Sequence, residues 1–194
     1  VEIERVYSRP VTMIPTNRPL IRARWPARVF RTPEAKWAAI VESIERVHRE
    51  GRPVLIGTRS IAASEHLAGL LTARALPHRV LNANFDKEEA DLIAQAGRAG
   101  AITVATNMAG RGTDIILDER SRASGGLHVV LTEMHGAQRI DRQFMGRAGR
   151  QGDPGSAQIF VSLRDELVSR HTPYLARWLA VRAGGGDELS DPRL

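Results

Sequence analysis

The sequence predicts an α/β protein in which helices cover both faces of a parallel β-sheet. Short apolar runs that are typical of buried strands occur at residues 54–56, 101–105 and 127–131. The segments between them place apolar residues at helical spacing, so strands alternate with helices along the chain. Because a helical crossover returns the chain parallel to the preceding strand, this alternation predicts an open parallel sheet.

The first 31 residues are predicted to form an N-terminal strand and an arginine-rich strap. Val11 to Ile14 alternates in the manner of a short strand, and a proline-punctuated connection follows at residues 15–19. Five arginines then occupy a segment broken by proline: Arg18, Arg22, Arg24, Arg28 and Arg31. This composition favours a docking strap or surface loop, with a specific anion site as the alternative.

Residues 32–182 are predicted to form one larger domain. Thr32 followed by Pro33 is typical of a helix start, and Gly51 is expected to end that helix. Ser60 is expected to cap the next helix. Further strands are expected at residues 78–81 and 158–163, with helices at 86–96 and 164–182. A run of three glycines follows, so residues 183–194 are predicted to be a linker stub or flexible tail.

The clearest chemical signal is the motif Q-x-x-G-R-x-G-R at residues 143–150. Arg147 and Arg150 are three apart, so on a helix or tight helical turn they would share one face and point in one direction. Gly146 and Gly149 would let a bulky anion approach the backbone. No partnered nucleophile or general base accompanies them, so the pair is interpreted as arginine fingers for a polyphosphate. The alternative is a pair of solvated surface arginines.

A second glycine-rich motif, at residues 106–115, follows the strand predicted at 101–105. Gly110 and Gly112 would let backbone amides face phosphate. Arg111 lies between them, and Asp114 would accept from a ribose hydroxyl or organise the arginines. The alternative interpretation is an ordinary structural glycine turn.

Residues 115–119 imitate the apolar strand and acidic pair that hold Mg²⁺ in P-loop enzymes. Asp118 and Glu119 are not assigned that role, because no G-x-x-x-x-G-K-[ST] motif precedes them. They are expected to begin a polar loop that continues to Ser124. No metal site is predicted from this chain.

Composition limits the classes of function. The 194 residues contain no cysteine, which excludes disulfides and thiolate metal sites. No apolar run approaches the roughly 20 residues of a membrane span. The net charge of +6 would suit a nucleotide, anionic lipid or nucleic acid, but aromatic residues are few and no basic block occurs, so nucleic acid is not an expected partner. A start at Val1 suggests a fragment of a longer protein.

The two motifs and their flanks resemble the second nucleotide-binding domain of the SecA family, the ATP-driven motors of bacterial protein export. The similarity covers residues 14 to about 167 and is most specific at T-N-M-A-G-R-G-T-D (106–114) and G-R-Q-G-D-P-G (149–155). It implies a RecA-like sheet of the P-loop NTPase fold, as a C-terminal helicase-type domain without its own P-loop. A nucleotide would then lie between this domain and a missing first domain of the same protein.

Site roles follow from the resemblance by position. Arg147 and Arg150 would be the catalytic residues that face the γ-phosphate. The residues implied in nucleotide binding are Gly110, Arg111, Gly112, Asp114, Gln143 and Gly146. The resemblance implies ATP with Mg²⁺, both bound mainly by the missing first domain, so the isolated chain is expected to be inactive.

The resemblance also implies partners and a location for the full-length protein. The partners would be a Sec-type membrane channel and unfolded preprotein, and the location would be the bacterial cytoplasm, peripherally at the inner face of the plasma membrane. The chain departs from the family pattern at Phe144-Met145, where an arginine-bearing pair is usual. Two alternatives stay open: the second domain of a superfamily 2 nucleic-acid helicase, and a non-hydrolysing regulatory or binding module.

Overall fold

The computed structural model of the chain describes residues 2–81, 92–106, 113–172, 174 and 186–189. The strands are β1 (Ala23–Arg24), β2 (Arg28–Phe30), β3 (Val54–Thr58), β4 (Arg79–Leu81), β5 (Ile102–Thr106), β6 (Leu127–Leu131), β7 (Gly155–Ser162) and β8 (Glu188–Leu189). The helices are α1 (Glu2–Tyr7), α2 (Pro33–Arg49), α3 (Ile61–Ala73), α4 (Glu119–Ala123), α5 (Gln138–Met145) and α6 (Glu166–His171), and residues 92–95 are also helical.

The strands form one sheet in the order β4-β5-β3-β6-β7-β2-β8, and β1 also pairs with β7. Every pairing among β1 to β7 is parallel, and β8 pairs antiparallel with β2. The parallel pairs are therefore connected by crossovers rather than by hairpins. The predicted α/β sheet with parallel strands is confirmed.

The side chains of the central strand β3 divide between two hydrophobic clusters. Val54 and Ile56 join α2 and α3 in the first cluster, whereas Leu55 joins the second with residues of α5. This division follows from the two-residue period of a strand, which sends alternate side chains to opposite faces. Each side chain fully buried in this way contributes about 1.5–3 kcal/mol, so both faces of the sheet are strongly held.

Two predicted helix starts are confirmed in detail. The Thr32 hydroxyl accepts a hydrogen bond from the Ala35 amide at 3.2 Å, and the Ser60 hydroxyl accepts from the Ala63 amide at 3.1 Å. Each bond satisfies an amide that has no partner within its helix. Gly51, at φ +76°, follows the end of α2 as predicted.

The predicted strand at residues 11–14 is wrong, because that segment has no strand structure. The Met13 and Ile14 side chains are 91% and 86% exposed. Alternation of apolar residues stabilises a strand only where a neighbouring strand and a core accept them. Two short parts of the predicted strap do join the sheet, because β1 and β2 both pair with β7.

The polar loop predicted from Asp118 to Ser124 is also wrong, since α4 occupies most of it. The Asp118 carboxylate accepts from the Ser121 amide at 2.7 Å and from the Ala99 amide at 3.0 Å. These two bonds, in that order, lower the pKa of Asp118. An acidic residue expected to begin a loop is therefore the N-cap of α4.

The C-terminal region differs from expectation where it is described. Residues 166–171 form α6, while the rest of the helix predicted at 164–182 lies mostly outside the described residues. Of the tail predicted at 183–194, residues 186–189 are described, and Leu189 is buried against Val29, Val161 and Leu163. Glu188 and Leu189 form β8, which lies at the edge of the sheet next to β2. No helix in the described ranges is both long and apolar enough to cross a membrane.

Candidate functional site

The arginine motif lies in a loop between α5 and β7, here called the arginine loop (residues 146–154). The helix α5 ends at Met145, and Gly149 adopts a left-handed conformation with φ +67°. Arg147 and Arg150 therefore do not share one helical face, and this part of the prediction is wrong. A left-handed residue between them reverses the direction of the backbone, which separates their side chains.

The two arginines have different environments. The Arg147 residue is 7% exposed, and its guanidinium carbon lies 5.6 Å from the centre of the Phe144 ring. The Arg150 side chain is 43% exposed. Of these two arginines, only Arg150 therefore presents its guanidinium at the surface of the domain.

Arg150 is oriented by two acceptors. Its Nη1 donates to Asp114 Oδ1 at 2.8 Å, and its Nε donates to the Gly146 carbonyl at 3.2 Å. Asp114 Oδ1 also accepts from the Ile115 amide at 3.1 Å. The sequence left two roles open for Asp114: to accept from a ribose hydroxyl or to organise the arginines. The observed contact with Arg150 corresponds to the second role.

The other predicted nucleotide-binding residues divide into two groups. Gln143 is exposed on α5, and Gly146 ends that helix and contacts Arg150. Gly110, Arg111 and Gly112 lie outside the described residues. The structure thus brings Asp114, Gly146 and Arg150 together.

Part of the segment that the sequence predicts to be a docking strap or surface loop lies against the arginine loop. In this segment, here called the strap (residues 16–25), Arg18 Nη1 donates to the Gln151 carbonyl and Arg22 Nη1 donates to the Ala148 carbonyl. The second of these bonds joins residues 126 positions apart in the sequence. No local sequence pattern could have indicated that pairing.

The departure at Phe144 has a steric explanation. The Phe144 residue is 3% exposed, and a Cβ atom added to Gly57 on β3 would lie 2.6 Å from its ring. The ring therefore occupies the space that the glycine leaves on the sheet. Phe144 is therefore part of the core packing on this face of the sheet.

The loop that follows β6 is tied to α5 by a buried pair. His135 Nδ1 lies 2.5 Å from Asp141 Oδ1, and the His135 amide also donates to that oxygen at 3.2 Å. His135 is therefore a hydrogen-bonding residue of this loop. Its carboxylate partner lies in the first turn of α5, the helix that leads to the arginine loop.

A separate polar cluster lies at the carboxyl ends of β3, β6 and β7. Lys36 Nζ contacts Asp165 Oδ1 at 2.5 Å with both side chains buried, and Asp165 Oδ2 accepts from the Ser162 amide at 2.7 Å. Arg59 lies 3.6 Å from Glu133. Burial raises the pKa of Glu133, against the opposing charge of Lys36. These groups satisfy one another, which indicates a structural network. No group of three metal-ligating side chains occurs in the described part of the chain.

Comparison with known families and curated proteins identifies close relatives. The chain matches the family model described as the SecA P-loop domain over residues 19–124 and 118–178. It is 51% identical over 168 residues to the protein translocase subunit SecA of Nitratidesulfovibrio vulgaris, covering 87% of this chain and 20% of the relative. It is 55% identical over 167 residues to the protein translocase subunit SecA 2 of Bordetella avium, covering 86% and 25%. The chain thus spans about a fifth to a quarter of these relatives' length.

Solved structures with the same architecture include DEAD-box proteins. The E. coli protein SrmB, solved with regulator of ribonuclease activity A, has a TM-score of 0.62 at 22% identity, covering 79% of this chain and 86% of that chain. The yeast splicing factor Prp28 also has a TM-score of 0.62, at 19% identity, with coverage of 86% and 36%. At these identities the likeness establishes the fold alone. The predicted RecA-like architecture is confirmed.

Proposed function

The chain belongs to the SecA family, and on that basis we propose that it is the second nucleotide-binding domain of an ATP-driven protein translocase. It would form one wall of an ATP site whose other wall is a first domain of the same protein. The observation that carries this proposal is the exposed Arg150 guanidinium, oriented by Asp114 and Gly146. The family match supports the choice of nucleotide site over a solvated surface arginine.

The residues present fit a phosphate ligand. Of the five N–H donors of Arg150, the acceptors in the described part of the chain engage two, and the side chain is 43% exposed. When bound, ATP with Mg²⁺ would supply the phosphoryl group and the metal charge. We assign Mg²⁺ binding mainly to the first domain, because this chain has no P-loop motif and its described residues contain no metal-ligand cluster.

In the proposed mechanism Arg150 acts as the arginine finger. Its guanidinium stabilises negative charge that develops on the phosphoryl oxygens, an effect of about 10³–10⁵ in rate when the geometry is correct. Asp114 holds the planar group in orientation, so less rotamer freedom is lost when the domains close. Arg147, beneath the loop surface, adds positive charge at longer range. Gln143, together with Gly110, Arg111 and Gly112, is proposed to complete this wall.

The partners of the full-length protein are proposed from the family. They are the first nucleotide-binding domain of the same chain, a Sec-type membrane channel and unfolded preprotein. The proposed location is the bacterial cytoplasm, at the inner face of the plasma membrane. A non-hydrolysing module is the second candidate, favoured by the buried Phe144 where an arginine-bearing pair is usual in the family.

The test is Arg150→Ala in the full-length protein, with ATP affinity and turnover measured on the same preparation. We expect ATP affinity to stay within about tenfold and turnover to fall by roughly 10² or more, since a finger acts on transition-state charge. Arg49→Ala is the matched control, because Arg49 is also an exposed arginine paired with a carboxylate. Unchanged turnover in folded Arg150→Ala would end the finger proposal. A full-length wild-type protein that binds ATP without turnover would favour the non-hydrolysing module.

A further inference from the structure

We propose that Arg22 is a positioning residue for Arg150: from the strap it holds the arginine loop in the conformation that presents the Arg150 guanidinium. This inference rests on the proposed function of Arg150. The inference makes the orientation of Arg150 depend on a residue outside the nucleotide site, because Arg22 acts through the backbone of the arginine loop.

The strap is itself firmly anchored where it meets the loop. Ala23 of β1 pairs with Ser156 of β7, and the Trp25 amide donates to the Ala157 carbonyl at 2.9 Å. The Trp25 ring lies 4.5 Å from the buried His128 ring, centre to centre. Residues 23–25 are therefore part of the sheet, and Arg22 projects from a fixed point.

Arg22 contacts the backbone two residues before Arg150. Its Nη1 donates to the carbonyl of Ala148 at 2.9 Å, and Ala148 is fully buried. A buried carbonyl needs a partner, and a charged donor makes a stronger bond than a neutral one. Burial and, secondarily, the charge of Arg24 lower the pKa of Arg22, which nevertheless stays protonated at neutral pH.

A second strap arginine contacts the backbone directly after Arg150. Arg18 Nη1 donates to the Gln151 carbonyl at 3.2 Å, and Gln151 has an unusual positive φ of 54°. Such a conformation in a non-glycine residue persists only where its surroundings hold it. The strap thus fixes the backbone on both sides of Arg150.

The contacts of the loop with Arg22 and Arg18 explain why positions 149 and 152 are glycines. A Cβ atom on Gly149 would lie 2.7 Å from the Arg22 Cβ, and one on Gly152 would lie 3.0 Å from the Arg18 Cβ. Both glycines also have positive φ, at +67° and +81°. The sequence suggested that Gly149 makes room for an anion, whereas in the structure the stem of Arg22 occupies that side of it.

The first arm of the test measures the loop in this chain by amide hydrogen exchange. The reporter is the Asp153 amide, which donates to the Arg150 carbonyl at 2.9 Å and so registers the loop conformation. Arg22→Met keeps the apolar stem and removes the donor, and we expect exchange at Asp153 to accelerate by about tenfold with little change in Tm. Arg24→Met, an exposed neighbour in the same strap, is the control and should leave the rate unchanged.

The second arm measures turnover in the full-length protein. We expect Arg22→Met to lower kcat by about tenfold while KM for ATP changes less than about threefold, because a mispositioned finger loses transition-state contact. Arg22→Lys retains a charged donor and should recover most of kcat. A role confined to stability would instead change Tm and leave kcat per folded molecule unaltered.

The two arms separate this inference from the function on which it rests. Unchanged exchange at Asp153 in Arg22→Met overturns the positioning role whatever Arg150 does. If Arg150→Ala loses turnover but Arg22→Met does not, the finger stands and the positioning role is overturned. If Arg150→Ala retains turnover, the finger proposal fails, and the exchange arm alone decides whether Arg22 holds the loop. If Arg22→Met does not fold, Arg18→Met is the second variant. We expect it also to accelerate exchange at Asp153 and to lower kcat.

Discussion

Arg150 Nη1 donates to Asp114 Oδ1 at 2.8 Å, a contact between residues that are 36 positions apart in sequence. Both side chains are nearly half exposed, at 43% and 45%. An exposed ion pair of this kind contributes at most about 1 kcal/mol to stability. Its importance is therefore expected in the orientation of Arg150 and not in the folding of the domain.

Asp114→Asn should separate orientation from stability. The amide keeps the shape of the side chain but removes its charge, so we expect Tm to change by only a few degrees. In the full-length protein turnover should fall by about tenfold, because the guanidinium loses its charged partner. Glu45→Gln, which weakens the surface pair with Arg49, is the control and should affect neither quantity. Full turnover in Asp114→Asn would refute the orienting role.

Lys36→Met should strongly destabilise the chain. It leaves Asp165 as a buried carboxylate without its cation, a loss of about 3–5 kcal/mol measurable by urea unfolding. Adding Asp165→Asn should recover part of that loss. Arg170→Ala, which removes an exposed pair with Glu166, should cost less than about 0.5 kcal/mol. Equal effects from the buried and exposed pairs would contradict this account.

His128 should make stability fall on acidification. Burial, followed by the charges of Arg52 and Arg46, lowers the pKa of His128 from 6.5 to about 3. Between these values the unfolded chain binds a proton that the folded chain does not, so stability is complete above about pH 6.5 and is lost as pH falls towards 3. The slope should be on the order of 1 kcal/mol per pH unit.

The measurement for His128 is urea unfolding at pH 7 and pH 5 for the wild type and His128→Gln. The variant lacks the titrating ring, so the difference in unfolding free energy between the two pH values should be smaller than in the wild type. Removing the ring will lower stability at both pH values, and only the pH-dependent difference is diagnostic. Identical differences in the two proteins would show that the pKa of His128 is the same in the folded and unfolded states, which would contradict the lowered pKa.

Two glycine substitutions should act in opposite directions. Gly126 has φ +71°, and an added Cβ would lie 1.9 Å from the Pro154 carbonyl oxygen, so Gly126→Ala should destabilise by about 2–4 kcal/mol. Gly69 lies within α3, and apart from its chain neighbours and the backbone of its own helix no atom lies within 4 Å of an added Cβ. Gly69→Ala should stabilise by about 0.5–1 kcal/mol, because alanine favours a helix more than glycine does. Thermal unfolding of both variants gives the comparison.

The isolated chain should show no ATPase activity above background. This expectation follows from the proposed site, in which a first domain supplies the phosphate loop and most of the metal contacts. The measurement is phosphate release from a rigorously purified chain, with Arg150→Ala as the control for contamination. Turnover that disappears in that variant would mean that the chain carries a complete site.

The sequence by itself determined the elements whose causes are local. Thr32 and Ser60 predicted their helices correctly, because a capping side chain acts within three residues of its own position. The buried strands β3, β5 and β6 followed from short apolar runs, and their parallel pairing followed from the helices between them. The two motifs rich in glycine and arginine, at residues 106–115 and 143–150, carried the resemblance to the family and singled out Arg150 and Asp114 as candidate site residues.

Only the tertiary structure decided which of these residues meet. Gly149, in a left-handed conformation, separates Arg147 from Arg150, so a spacing that suits one helical face leaves one arginine buried and the other exposed. The contact of Arg22 with Ala148 joins distant parts of the chain, and the apolar residues at 11–14 pair with no strand in the described part of the chain. Periodicity records which face of an element is apolar, but the partner of that face is fixed by packing across the sheet.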